Sequence, residues 1–236
     1  MNINGPRVLV AGATGVLGSA LTAELAARGA RPALAGRDAA RPARAARAHP
    51  GSPTADLDAY DPSSCARAVH AVTAEFRGLD AVVTAFGAVG FGTRPEVDDA
   101  VAEYLTAGNF LAPAAFFRAA TQVLPPHSVI AAFTGVVAEQ PQPRMADYSA
   151  SKAALSAWLA AARRETRGVG VQVLDVRPGH LDTGLADRSV AGTAPPLPPG
   201  GDSGQVVKAV VDAMESDAEA VRTTPGGAAV VERRAR

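Results

Sequence analysis

Five short apolar runs recur along the chain: RVLVAG, RPALAG, LDAVVTAFG, SVIAAFTG and VQVLDVRPG. Runs of this length with little polar alternation read as strands buried on both faces, as a helix-covered parallel sheet requires. Between them lie alanine-rich helical stretches. GSALTAELAARGA ends at Gly29, while SSCARAVHAVTAEFRG opens with serines suited to an N-cap and ends at Gly78. The repeated βα order predicts an α/β fold, a doubly wound parallel sheet flanked by helices, with ligands at the carboxyl ends of the strands. No solenoid repeat or linker breaks the pattern, so residues 1–236 are expected to form a single domain. The Pro/Gly-rich stretch GTAPPLPPGGDSG, 192–204, reads as a mobile loop over the cleft, and 184–204 is taken as the substrate loop.

Composition narrows the partners. Hydrophobic residues make up 47% and charged residues 19%, so the chain can bury a sizeable core. Lys plus Arg and Asp plus Glu both number 23, so no global field draws it to nucleic acid or to an anionic membrane, and a small-molecule partner is expected. A single cysteine, Cys65, excludes an internal disulfide and a multi-cysteine zinc site, and the histidines at 49, 70, 127 and 180 lack metal-ligand spacing. The opening MNINGPRVLVAGATG has only a short apolar run, so neither a secretory signal nor a membrane span is expected and the reading is cytoplasmic.

The first strand runs into VLVAGATGVLGSALTAEL, where glycines 12, 15 and 18 lie between a strand and a helix. Glycines there allow a tight turn and close approach of the backbone to a pyrophosphate, and the helix start offers free N–H groups. Gly12, Thr14, Gly15, Val16, Leu17 and Gly18 are therefore candidate dinucleotide-binding positions. The second strand ends ALAGRD, so Gly36 stands where an acidic residue would meet the NAD ribose, and Arg37 follows. A guanidinium suits a 2′-phosphate, which favours NADP(H) over NAD(H).

With this loop near the start and YSASK past the middle, the chain resembles the short-chain dehydrogenase/reductases, the single-domain Rossmann-fold family, over nearly its whole length. The resemblance implies an NAD(P)-dependent enzyme. It also implies that Asp56 and Leu57 flank the adenine, that Ala85, Phe86 and Gly87 of TAFG lie beside the adenine ribose, and that Pro178, Gly179, Leu181 and Thr183 of RPGHLDTGL hold the nicotinamide carboxamide. GNFLAPAAFFRAA is similar to the family helix that opens with a structural asparagine, which makes Asn109 the residue holding a water next to the lysine; an alternative alignment puts Leu105 there. Three departures stand out: the loop is spaced Gly-x-x-Gly-x-x-Gly, TAFG lacks the usual asparagines, and the usual serine is missing.

Tyr148 and Lys152 of YSASK stand at i and i+4, on one face of a helix. A free tyrosine titrates at about 10, and an ammonium close by favours the phenolate, so the pair can bring the phenol toward working pH. In the family reading Tyr148 donates a proton to a substrate carbonyl as NADPH delivers hydride to its carbon, and Lys152 also binds the nicotinamide ribose. An ungapped alignment puts Thr134 under the family's first serine and Gly135 under the second, the one that hydrogen-bonds the substrate. Either the loop is one residue longer and Thr134 supplies the hydroxyl, or Tyr148 polarises the carbonyl alone; His180 is a further candidate.

The expected activity is reduction of a small or medium apolar ketone, or oxidation of the matching alcohol. A non-catalytic nucleotide-binding scaffold and a lyase or epimerase using the same pair stay open. The helices YLTAGNFLAPAAFFRAA and YSASKAALSAWLAAARRE carry more apolar residues than one buried face needs, and family members commonly pack them on a second subunit. A homodimer or homotetramer with Trp158 near the contact is expected.

Overall fold

A computed structural model describes residues 1–37, 40–224 and 226–233. Its strands are β1 (Arg7–Ala11), β2 (Arg31–Gly36), β3 (Thr54–Asp56), β4 (Ala81–Thr84), β5 (Val129–Phe133), β6 (Gln172–Arg177), β7 (Ala218–Thr223) and β8 (Ala229–Arg233). They form one sheet in the order β3-β2-β1-β4-β5-β6-β7-β8, parallel throughout except for β8, which runs antiparallel to β7. The α-helices are α1 (Val16–Ala27), α2 (Ala40–Ala45), α3 (Pro62–Phe76), α4 (Asp99–Thr106), α5 (Ala112–Ala120), α6 (Ala146–Glu165) and α7 (Ser203–Met214).

Alternate side chains of each central strand feed opposite layers, the period-2 geometry of a strand. Leu9, Ala33, Val82 and Ile130 join Phe116, Phe117, Leu155 and Leu159 on the face covered by α3, α5 and α6. Val8, Val10, Val83 and Leu174 meet Leu21, Leu25, Val210 and Met214 of α1 and α7 on the other. Each large aliphatic side chain so buried contributes about 1.5–3 kcal/mol, which is why the runs are apolar on both sides. Strand order reverses between β1 and β4, so their carboxyl ends open a crevice, and every candidate loop leaves the sheet on that edge.

Local details differ from the sequence expectations. Helix α3 is capped by Asp61, whose carboxylate accepts from the Ser63 N–H at 2.8 Å, and not by the serines, which lie inside the helix. Asn109 does not open a helix. It sits in a π turn, Ala107–Leu111, between α4 and α5, where the wider turn carries it fully into the interior. The 184–204 segment, expected as the substrate loop, is fastened at residues 190–191 and at Gly201. Val190 N–H donates to Val89 O and Phe91 N–H to Ala191 O, both at 2.8 Å, while Gly201 N–H donates to His180 O at 2.8 Å.

Candidate functional site

The glycine loop is shaped by close contact. A Cβ on Gly12 would lie 2.7 Å from Ala85 O, and φ there is +89°. One on Gly18 would lie 2.1 Å from Gly12 O, so only glycine lets α1 press onto the loop. Helix α1 begins after Gly15 with no side-chain cap and no acidic residue in its first turn, where Val16 and Leu17 stand, so its first N–H groups and positive dipole face the crevice. Thr14 leans on the end of β2: a Cβ on Gly36 would come within 3.2 Å of its Oγ1. Arg37 is exposed just beyond, Asp56 is exposed opposite Gly36 in the β2–β3 register, and buried Leu57 donates its N–H to Gly36 O at 3.1 Å. This uncapped helix start behind a glycine turn fits a dinucleotide.

Across the crevice, α6 presents Tyr148 and Lys152. Lys152 is 6% exposed, and its Nζ donates to Phe133 O at 2.9 Å and lies 6.0 Å from the Tyr148 ring centroid. Gly87 is confined by the same group, since a Cβ there would meet Asn109 Oδ1 at 2.7 Å and Lys152 Nζ at 3.2 Å. Asn109 donates to Ala88 O at 2.9 Å and to Ser151 Oγ at 3.0 Å, and accepts from Ala88 N–H at 2.9 Å. Ser151 in turn donates to Tyr148 O at 2.7 Å. The loop after β4 is thus linked through Asn109 and Ser151 to the backbone of Tyr148. Sequence reasoning does not single out Ser151, although its i+3 spacing from Tyr148 is visible there. Leu105, the rival to Asn109, is a buried apolar residue with no polar atom to offer there. Phe86 packs on the core, its ring centroid 6.0 Å from that of Phe116.

Burial acts on both members of the pair. It pushes the Tyr148 phenol up to about 12 and the Lys152 ammonium down to about 8, with Asp175 partly opposing the latter. The lowering of the phenol expected from the ammonium is not seen: desolvation raises it, with Lys152 Nζ 6.0 Å from the ring centroid. A half-buried phenol that keeps its proton at neutral pH is a proton donor.

The missing hydroxyl is not restored by Thr134. That side chain is 2% exposed and donates to Asp175 Oδ1 at 2.5 Å, so its proton points into the protein and not toward the cleft. Gly135 takes φ +95°, a conformation that a serine adopts only under strain. Beyond β6, Pro178 is buried and accepts from Val136 N–H at 2.9 Å, while Gly179 N–H donates to Thr223 Oγ1 at 2.7 Å. Leu181 is buried, His180 and Thr183 are half-buried, and Thr183 N–H turns back to Leu181 O at 2.8 Å. Asp175 itself, fully buried in β6, is absent from the sequence-derived set; an acid followed two residues later by Arg177 inside the apolar run VQVLDVRPG is its signal.

Among the described residues no group of His, Cys, Asp and Glu is arranged to hold a metal, and no helix is long and apolar enough to cross a membrane. The family model described as short chain dehydrogenase matches residues 6–193. Two curated relatives, 11-beta-hydroxysteroid dehydrogenases 1A and 1B of Arabidopsis thaliana, are each 31% identical over 191 residues, 78% of this chain and 54% of theirs. The chain thus spans about half the length of the curated relatives it matches. Among solved structures, a short chain dehydrogenase from Burkholderia cenocepacia in complex with NADP superposes with a TM-score of 0.82 at 25% identity, covering 96% of this chain and 91% of that one. A short chain dehydrogenase/reductase from Burkholderia phymatum in complex with NAD, at 19% identity and a TM-score of 0.85 over 96% and 91% of the two chains, shares the fold.

Proposed function

The chain belongs to the short-chain dehydrogenase/reductase family, and from that premise we propose that it is an NADPH-dependent reductase of small or medium apolar ketones. The observation that carries the reading is the buried ammonium of Lys152 beside Tyr148, on the same sheet edge as the uncapped start of α1. Gly12, Thr14, Gly15, Val16, Leu17 and Gly18 would hold the pyrophosphate; Arg37 the 2′-phosphate; Asp56, Leu57, Ala85, Phe86 and Gly87 the adenosine; and Pro178, Gly179, Leu181 and Thr183 the carboxamide. When bound, the cofactor supplies hydride to a carbonyl carbon. Tyr148 gives the phenolic proton to the carbonyl oxygen, and a phenol pushed up to about 12 carries that proton at neutral pH. Lys152 orients the ribose and stabilises the phenolate as it forms, while Asn109 fixes the helix that carries both.

NADP(H) is preferred on the strength of Gly36 and Arg37 at the end of β2, and the relative from Burkholderia cenocepacia is in complex with NADP. Equilibrium binding of both cofactors tests this: Arg37→Ala weakens NADP(H) and leaves NAD(H) unchanged, and tighter NAD(H) binding by the native chain refutes the preference. An apolar substrate is supported by Val89, Phe91, Leu105 and Val190, which gather where the 189–192 segment is laced to the loop after β4. Stopped-flow hydride transfer against a ketone panel tests the activity.

One observation favours a second reading. Gly135 lacks a hydroxyl and that of Thr134 is turned to Asp175, so neither position offers Tyr148 a serine-like donor. Loss of one such donor costs about 3–4 kcal/mol of transition-state stabilisation, so turnover is slow; cofactor binding with no transfer to any ketone would instead mark a nucleotide-binding scaffold. A homodimer or homotetramer is supported by exposed Leu111 and by half-buried Trp158, stacked on Phe117 at 5.9 Å between ring centroids. Light scattering reads it directly.

A further inference from the structure

Asp175 is a carboxylate with no exposure in the middle of β6, and nothing in the proton transfer uses it directly. Burying such a group is costly unless hydrogen bonds and a counter-charge satisfy it. Thr134 Oγ1 donates to Oδ1 at 2.5 Å, Ser156 Oγ to Oδ2 at 2.8 Å, and Arg177 reaches Oδ2 through Nε and Nη2, both at 2.7 Å. Two of these partners belong to the elements that carry the site. Thr134 follows Phe133, whose carbonyl receives Lys152 Nζ, and Ser156 follows Lys152 by one turn on the same face of α6.

The charge around Asp175 is not balanced by Arg177 alone. Arg177 is shared with Glu139, which also pairs with Arg222, and Arg222 pairs in turn with Glu232. Three carboxylates, Asp175, Glu139 and Glu232, face two guanidiniums in this chain of contacts, so one negative charge is left over. Besides Lys152, Arg163 of α6 also feels Asp175, and it spends its hydrogen bonds on Val173 O and Glu219 O.

We propose that Asp175 is a positioning residue for Lys152: its carboxylate straps the end of β5 to α6 around the ammonium and supplies the buried negative charge that keeps the ammonium protonated at working pH. This rests on the reading of Tyr148 and Lys152 as the proton-transfer pair. Burial already brings Lys152 down to about 8, and Asp175 is the charge that opposes the fall, so the margin above neutral pH is narrow.

The chain has two lysines, Lys152 and an exposed Lys208, so lysine labelled with 13C at Cε gives two resolvable side-chain titrations, one an internal reference. In Asp175→Asn, which keeps the shape and removes the charge, the Lys152 midpoint is expected to fall by at least about one unit, and Lys208 to stay. The alkaline limb of turnover shifts by the same amount. Thr134→Val cuts the strap but keeps the charge, so it lowers Tm with the midpoint held, and Asp175→Glu restores the midpoint. A folded Asp175→Asn with an unmoved Lys152 midpoint overturns the proposal. Should that variant not fold, Asp175→Asn with Arg177→Gln removes the ion pair as a unit, and the Lys152 midpoint falls by less, because a cation leaves with the carboxylate; an unmoved midpoint again overturns the proposal. The titration needs no turnover, so a protein that transfers no hydride still reveals whether Asp175 sets the charge of Lys152.

Discussion

The two walls of the crevice are built from different materials. The wall at α1 is backbone: Gly12 and Gly18 make room by having no side chain, and the helix start offers N–H groups that need no particular residue. The wall at α6 is side chain: Tyr148, Lys152, Asn109, Ser151, Thr134 and Asp175 meet through buried polar contacts from four separate elements. A backbone wall fails sterically, all at once. A side-chain wall fails one function at a time, and that contrast orders the variants that break it.

Tyr148→Phe should give the largest effect, a loss of about 10²–10⁴ in hydride transfer, because the donated proton is gone while the ring remains. Cofactor affinity should hold, which stopped-flow and equilibrium binding read separately; an unchanged rate removes Tyr148 from the chemistry. Gly18→Ala should break the opposite wall. Its Cβ would lie 2.1 Å from Gly12 O, an overpacking that costs about 3 kcal/mol and displaces the loop. Tm then falls by about 6–12 °C and both cofactors bind weakly, with no selective effect on the chemical step.

The same contrast explains what could be read in the sequence. The strands β1, β2, β4, β5 and β6 were legible because both faces of each are buried and their runs are apolar. Strand β7 and the edge strand β8, written AEAVRT and AVVER, mix charged with apolar positions and carry no such signal, and β8 reverses the sheet direction. The glycine triplet was legible for the same reason as the strands: sterics leave few residues to choose from. Side-chain roles were not. Thr134 was in the right place by alignment, but a rotation about one bond decides whether its hydroxyl meets substrate or Asp175, and only the register of β5 against β6, Ala132 opposite Asp175, shows which.

Lys152 makes the next prediction. Its ammonium is pushed down to about 8 in the folded chain against 10.5 unfolded, so the unfolded state holds more protons between these values and stability rises with pH across that window. Below about 8 the burial penalty is complete, on the order of 3 kcal/mol before the Phe133 hydrogen bond offsets part of it. Lys152→Met should therefore flatten the dependence of Tm on pH between 8 and 10.5 and abolish transfer. A slope that persists in the variant would mean that another group titrates in that window.

Gly135→Ser is the smallest change and tests the gap between the walls. A Cβ there meets only Pro178 O and Val137 Cγ2, both at 3.7 Å, so space is not the obstacle. The obstacle is φ +95° with ψ 160°, a region left to glycine that costs an L residue about 1–3 kcal/mol, so Tm should fall by about 2–12 °C while NADP(H) binding is kept. An unchanged Tm would show that the turn relaxes to a negative φ at no cost, and that the glycine reflects no backbone demand. In a variant that carries the strain, a rise in turnover would place the new hydroxyl on the substrate oxygen beside Tyr148. An unchanged rate would leave Tyr148 as the sole donor, held against Lys152 by the buried network around Asp175.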